Sequence, residues 1–264
     1  MTLVERSIAV AARSRGYLLA EPAGEAAGII LSLHGSRSNG RQQAHLTGMA
    51  ALVSPARAVV VFPQAETPDR GGFKWDHEGD VAFLRALSEH LLAQYPAAGE
   101  RVCICGMSGG ARMSCFFAST HADLVAAVGA VGGLRAPSVT TPIRSVPVVA
   151  LHGTADRINP YAGGLGQRWD ESVPEAARRW AVANGVSEKP SDSRVGKSLS
   201  RTTYGVEGEP GEVTLWTIDG AGHTWPGGSA GLLLRLFLGP VSQEINASEE
   251  IWRFYQRHAR PSRL

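Results

Sequence analysis

The chain is short of cysteine, aromatics and charge: 3 Cys, 7% Phe, Trp and Tyr, and 19% charged residues in 264. Three thiols are an odd count and imply no disulfide framework. Cys103 and Cys105, two apart on an apolar run, point to one face of a strand. Cys115 falls on the next helical segment. No His or Cys stands near them at ligand spacing, so buried free thiols are expected rather than a metal site. The formal net charge is only +2, which offers no excess to attract nucleic acid or an acidic membrane. No apolar run approaches the roughly 20 residues of a membrane span, so stable membrane insertion is not expected.

The first residues, "MTLVERSIAVAARSRGYLLAEPAGE", bring Glu5 and Arg6 early and hold no sustained apolar stretch. They read as two opening strands, not a signal peptide. A cytoplasmic location is expected, or export followed by loss of a leader. The arginine-rich end, "QRHARPSRL", reads as a solvated tail. Oligomeric state is not fixed by any of these features.

Glycine is plentiful, at 31 residues, and 44% of the chain is apolar, a globular and core-forming composition. Apolar runs alternate with helical patterns. Residues 28–35, 56–64, 101–106, 124–133, 146–153 and 212–220 read as strands. Residues 80–96, 109–120, 172–185 and 246–259 read as helices, with Asp80 and Asn246 as N-caps and Glu249 in the capping-box position. Asn246-Ala247-Ser248 also spells a glycosylation sequon, and the capping reading takes precedence. The strands are apolar on both faces, which suits a mostly parallel sheet covered by helices, in one α/β domain spanning 1–264. Residues 186–203 are polar and read as a surface excursion. No room exists between 133 and 146 for a large cap. Residues 229–245 belong either to the core or to a flap over the cleft, and exposed leucines there would favour a lipid-like or polymeric surface.

The segment "RVCICGMSGGARM" runs a strand through Gly106-Met107-Ser108-Gly109-Gly110 into a helix. A nucleophile elbow needs that strand, that turn and small flanking residues. A serine hydroxyl also needs a base and a group to orient the base. In chain order the acid comes next, and Asp156, in "HGTADRINPY", follows a strand at the mouth of the sheet. Asp123, Asp170, Asp192 and Asp219 are worse placed. Of the histidines after Asp156, His258 reads as a surface residue of the last helix, while His223 lies in the glycine-rich "DGAGHTWPGG". Ser108, His223 and Asp156 are therefore the expected nucleophile, base and orienter. The backbone N–H groups of Gly109 and Ser36 are the expected oxyanion donors. His34 and His152, each in an "LHG" segment, are expected to hydrogen-bond backbone locally. No metal or organic cofactor is needed for such chemistry.

The blocks "LSLHG", "VFPQ", "DVAFLRAL", "GMSGGARM", "PVVALHGTADRINPYAGG", "GAGHTWPGG" and "NASEEIWRF" occur together between about residues 28 and 258. In order and spacing the chain resembles the polyhydroxybutyrate-depolymerase-like esterases, the LpqC-like group of α/β hydrolases that also holds feruloyl and acetylxylan esterases. The resemblance implies the α/β-hydrolase fold and carries the triad onto Ser108, Asp156 and His223. Ser36 stands where many relatives have cysteine. The expected activity is hydrolysis of carboxylic esters through an acyl-enzyme, on short-chain, hydroxyalkanoate, hydroxycinnamoyl or polyester substrates. A peptidase or an acyltransferase would use the same triad. Trp225, two residues after the base, Trp75 in "GGFKWD", and Tyr161 are the expected walls of the substrate site, with Phe73 a weaker candidate.

Overall fold

A computed structural model describes residues 2–229, 231 and 236–259. Its centre is a ten-stranded sheet in the order β1-β2-β4-β3-β7-β8-β9-β12-β11-β10. The strands are β1 Val4–Val10, β2 Arg13–Ala20, β3 Gly28–Leu33, β4 Ala58–Pro63, β7 Val102–Met107, β8 Val125–Val131, β9 Val148–Gly153, β10 Ser191–Arg194, β11 Leu199–Tyr204 and β12 Val213–Ile218. From β4 to β12 neighbouring strands pair in parallel. The outer pairs, β1-β2-β4 and β12-β11-β10, are antiparallel. A separate hairpin joins β5 Thr67–Asp69 to β6 Gly72–Lys74.

Both faces of the parallel strands are buried, as their unbroken apolar runs require. The helices are α1 Gly40–Thr47, α2 Val53–Ala56, α3 His77–Gln94, α4 Gly109–Thr120, α5 Val173–Ala183 and α6 Ala247–His258. Helices α3, α4 and α5 set Phe83, Leu87, Phe117 and Trp180 against one face together with Leu31 and Ile104. Helices α1 and α6 set Ala44, Ile251, Trp252 and Phe254 against the other, with Ile30 and Cys105. This is the α/β-hydrolase arrangement expected, with two opening strands at the N-terminus.

Several local expectations need correction. The α3 cap is Asp76, whose side chain accepts from Gly79 N at 3.2 Å. Asp80 lies one turn inside, accepting from Asp76 N at 2.8 Å and from the buried Arg15. Asn246 does cap α6, accepting from Ser248 and Glu249 N–H groups, but the Glu249 carboxylate turns to Arg253 instead of closing a capping box. His258 is buried, with Nε2 3.1 Å from the equally buried Glu212. The polar excursion at 186–203 contains β10 and all of β11 but its last residue, Tyr204, and α1 and the β5–β6 hairpin lay outside the expected elements. The three cysteines are free and buried; burial pushes the Cys105 and Cys115 thiols up to about 12. No helix among the described residues is long and apolar enough to cross a membrane.

Candidate active site

Strand β7 delivers Ser108 to the carboxyl end of the sheet, and α4 starts at the next residue. Ser108 adopts φ 55° and ψ −113°, a conformation costing on the order of 1–3 kcal/mol for a side chain other than glycine. The turn persists because both flanks are fixed. Ser108 N donates to Val131 O at 2.9 Å, and Ser108 O accepts from Arg112 N at 3.0 Å. The flanking glycines are required by space. A Cβ on Gly110 would stand 2.2 Å from Leu33 O, and one on Gly106 would stand 2.6 Å from the Gly110 carbonyl carbon.

Asp156 sits in the turn after β9 and is buried. Its Oδ1 accepts from the Ile158 and Asn159 N–H groups, both at 2.8 Å. Its Oδ2 lies 2.7 Å from His223 Nδ1 and 3.3 Å from His152 Nε2. Burial alone would raise its pKa. Hydrogen bonds from His152 and His223 outweigh that, with the charge of His223 and the Asn159 N–H adding to them, and hold the carboxyl well below the usual range. His152 Nε2 also lies 2.8 Å from Asn159 O. Both neighbours accept, so Nε2 carries the proton.

The loop bearing His223 is anchored by its own N–H on Leu238 O at 2.6 Å and by Gly222 N on Pro240 O at 3.0 Å. With Nδ1–H committed to Asp156, Nε2 is left as the accepting nitrogen. Ser108 and His223 line one cleft of 1510 Å³. No hydrogen bond joins Ser108 Oγ to His223 in this conformation; proton transfer needs an aligned contact of about 2.6–3.2 Å.

The loop after β3 lies beside the elbow. A Cβ on Gly35 would stand 3.7 Å from Ser108 Cβ, and one on Gly109 would stand 3.1 Å from Ser36 N. The Ser36 and Gly109 N–H groups therefore neighbour each other, and neither donates to a protein acceptor among the described residues. His34 supports the loop as expected, through Nδ1 to Gly35 O at 2.8 Å, while Nε2 accepts from Ala65 N at 3.3 Å. Burial lowers its pKa. Arg37 N donates to Phe73 O at 2.8 Å, and Phe73 N to Ser38 O at 2.9 Å, tying the loop to the β5–β6 hairpin.

The expected aromatic walls are not all at the cleft. Trp225 is 1% exposed and packs inside the fold, where Nε1 donates to Ser248 Oγ at 3.1 Å. Tyr161 lies under the Asp156 loop, its hydroxyl 2.7 Å from Thr217 Oγ1 and its ring edge-on to His152. Trp75 lines a 430 Å³ recess with Ser36, Gly109 and Arg112. Its Nε1 donates to His34 O at 2.7 Å. Sequence reasoning missed the arginines: Arg37, Arg41, Arg112, Arg157 and Arg168 all line the main cleft. Arg112 carried a signal, being one helical turn beyond Ser108. Of the segment 229–245, residues 230 and 232–235 lie outside the described residues. Ser229 donates to His45 O, Leu238 borders the cleft, and Leu236 and Phe237 are exposed. No group of three or more His, Cys, Asp or Glu side chains is placed to hold a metal among the described residues.

Residues 14–164 match the family model described as Esterase PHB depolymerase. NocK of Nocardia uniformis subsp. tsuyamanensis, a protein named as an esterase, is 26% identical over an alignment of 259 residues, covering 86% of this chain and 75% of NocK. The bifunctional acetylxylan esterase/xylanase XynS20E of Neocallimastix patriciarum is 27% identical over 135 residues, half of this chain and 20% of that protein. Among solved structures, an acetyl xylan esterase from Aspergillus awamori superposes with a TM-score of 0.64 at 17% identity, over 84% of this chain and 94% of that one. A thermostable esterase superposes with a TM-score of 0.52 at 16% identity, over 69% of this chain and 52% of the other.

Proposed function

The chain belongs to the Esterase PHB depolymerase family and is a carboxylic ester hydrolase, and we propose that it works through an acyl-enzyme on Ser108. One observation carries the assignment. The buried Asp156 holds His223 at 2.7 Å, and His223 opens onto the same cleft as the strained Ser108. Ser108 Oγ attacks the ester carbonyl as His223 Nε2 takes its proton. Asp156 keeps the imidazole in the Nδ1–H tautomer and stabilises its charged form. The Gly109 and Ser36 N–H groups take the developing oxyanion. His223 then protonates the leaving alkoxide. Water, deprotonated by the same nitrogen, attacks the acyl carbonyl and releases the acid and free Ser108. All these groups stand on or beside one sheet, which supports reading 1–264 as a single catalytic domain.

The main cleft has no Trp, Tyr or Phe among its described lining residues. That supports short or hydroxyacyl esters over a tight slot for a hydroxycinnamoyl ring. Rates on 4-nitrophenyl esters of increasing acyl length, on methyl ferulate and on a hydroxybutyrate oligomer test the reading, for wild type and Ser108→Ala. Loss of about 10⁴ or more in kcat for the variant is expected. An equally active variant would remove Ser108 from the chemistry.

A further inference from the structure

We propose that the esters this site takes carry a second, anionic group, a carboxylate or a phosphate, bound by the arginines around Ser108. The inference rests on Ser108 as nucleophile and adds the substrate class. The chain as a whole is nearly balanced, with 26 Lys and Arg against 24 Asp and Glu. The cleft is not balanced. Its described lining includes five arginines and one acid, Asp69. Arg37 lies 3.9 Å from that Asp69, and Arg41 pairs with Glu5 at 2.6 Å on the rim. Arg168 donates to the Ile158 carbonyl, which leaves its charge uncancelled. Arg112 and Arg157 meet no carboxylate among the described residues.

Arg112 is the central member. It follows Ser108 by one turn of α4, is half-buried, and lines both the main cleft and the recess beside Ser36 and Gly109. That recess adds Lys74 and Arg135, the latter paired with Asp170 at 3.1 Å, and has no acid in its described lining. Burial, then the charges of Arg135 and Arg168, depress the Arg112 pKa, so its guanidinium sits where positive charge is disfavoured. A half-buried, unpaired guanidinium among other cations opposes folding unless a bound anion offsets it. A planar carboxylate or a phosphate meets the guanidinium fork through two parallel N–H···O bonds. From its position such an anion would hang within a few bonds of the scissile carbonyl.

The test compares mono-4-nitrophenyl adipate with its methyl ester, of equal chain length and without the charge, and with the phosphonate of the same length. Wild-type kcat/KM should favour at least one anion over the neutral ester by about tenfold or more, and the better anion names the group. That preference should shrink as salt rises from about 50 to about 500 mM. In Arg112→Gln the anion-to-neutral ratio should fall toward one, and in Arg157→Gln by a smaller factor. The ratio and the salt arm of the wild type are read without assuming that either variant folds fully. A wild type that takes the neutral ester as well as both anions overturns the inference and leaves the esterase reading standing. A wild type inactive on all three overturns both.

Discussion

His152 and His223 share one carboxylate oxygen: Asp156 Oδ2 lies 3.3 Å from His152 Nε2 and 2.7 Å from His223 Nδ1. His152 is therefore expected to act as a positioning residue, through the carboxylate that orients His223. In His152→Leu the carboxylate loses a donor and its pKa rises toward the ordinary value near 3.9. The depressed pKa of Asp156 contributes stability that is present above that ordinary value and lost as pH falls through the folded one. Acid unfolding of His152→Leu should begin at higher pH, and kcat should fall about tenfold. His152→Gln, which retains an N–H, should recover part of both. Unchanged kcat and an unchanged acid midpoint would make His152 a packing residue only.

Asp156→Asn keeps an oxygen for the Ile158 and Asn159 N–H groups but no longer fixes the tautomer of His223. A kcat loss of about 10⁴ with a near-native circular dichroism spectrum is expected. Retention of a tenth of the wild-type rate would assign the orienting role elsewhere.

Gly110→Ala would drive a methyl group to within 2.2 Å of Leu33 O, between β3 and the start of α4. Neither backbone can retreat without opening the sheet. Denaturant titration should show a loss of about 3 kcal/mol or more, or no folded protein. A variant as stable as wild type would mean that the elbow is looser than described.

Glu212 and His258 form a buried pair 3.1 Å apart. Burial would raise the Glu212 pKa, but His258, the Gly208 N–H, Thr214 and Arg257 together lower it. Its stabilisation is thus full above the unfolded glutamate value and fades as pH falls through the lower folded one. Glu212→Gln should cost about 3 kcal/mol at neutral pH and progressively less in acid. A cost that stays constant down to pH about 3 would contradict the direction of the shift.

Trp225→Phe should lower stability by about 1–2 kcal/mol through the lost Ser248 hydrogen bond and indole volume, with KM nearly unchanged. A large rise in KM with unchanged stability would return Trp225 to the substrate wall.

The proposed triad residues could be picked out in the sequence because each follows a strand that announces itself. "RVCICG", "VPVVALHG" and "EVTLWTI" are apolar runs ended by glycine or turn residues, and the chain order of Ser, Asp and His does the rest. Side-chain direction was not available in the same way. Trp225 stands two residues from His223, yet the turn between them sends the indole inward. His258 looked exposed because its neighbours are arginines, while its partner Glu212 is 46 residues away. Helix α1, "GRQQAHLT", has too little apolar periodicity to be seen, and its clearest mark is the Asn39 cap. The arginine cluster was invisible for a topological reason: its members come from the loop after β3, from α1, from α4 and from the segment after β9, which only the sheet order brings together.

The β5–β6 hairpin acts as a splint on the Ser36 loop. Two backbone hydrogen bonds fasten Phe73 to Arg37 and Ser38, and at Gly72 a Cβ would stand 2.3 Å from the Arg37 carbonyl carbon, so the two segments touch main chain to main chain. The proposed oxyanion donors are consequently set before any ester arrives. Remodelling the tip at Arg70 and Gly71 is then a way to tune turnover from outside the cleft, because what the splint governs is the aim of an N–H group and not the shape of the space a substrate fills.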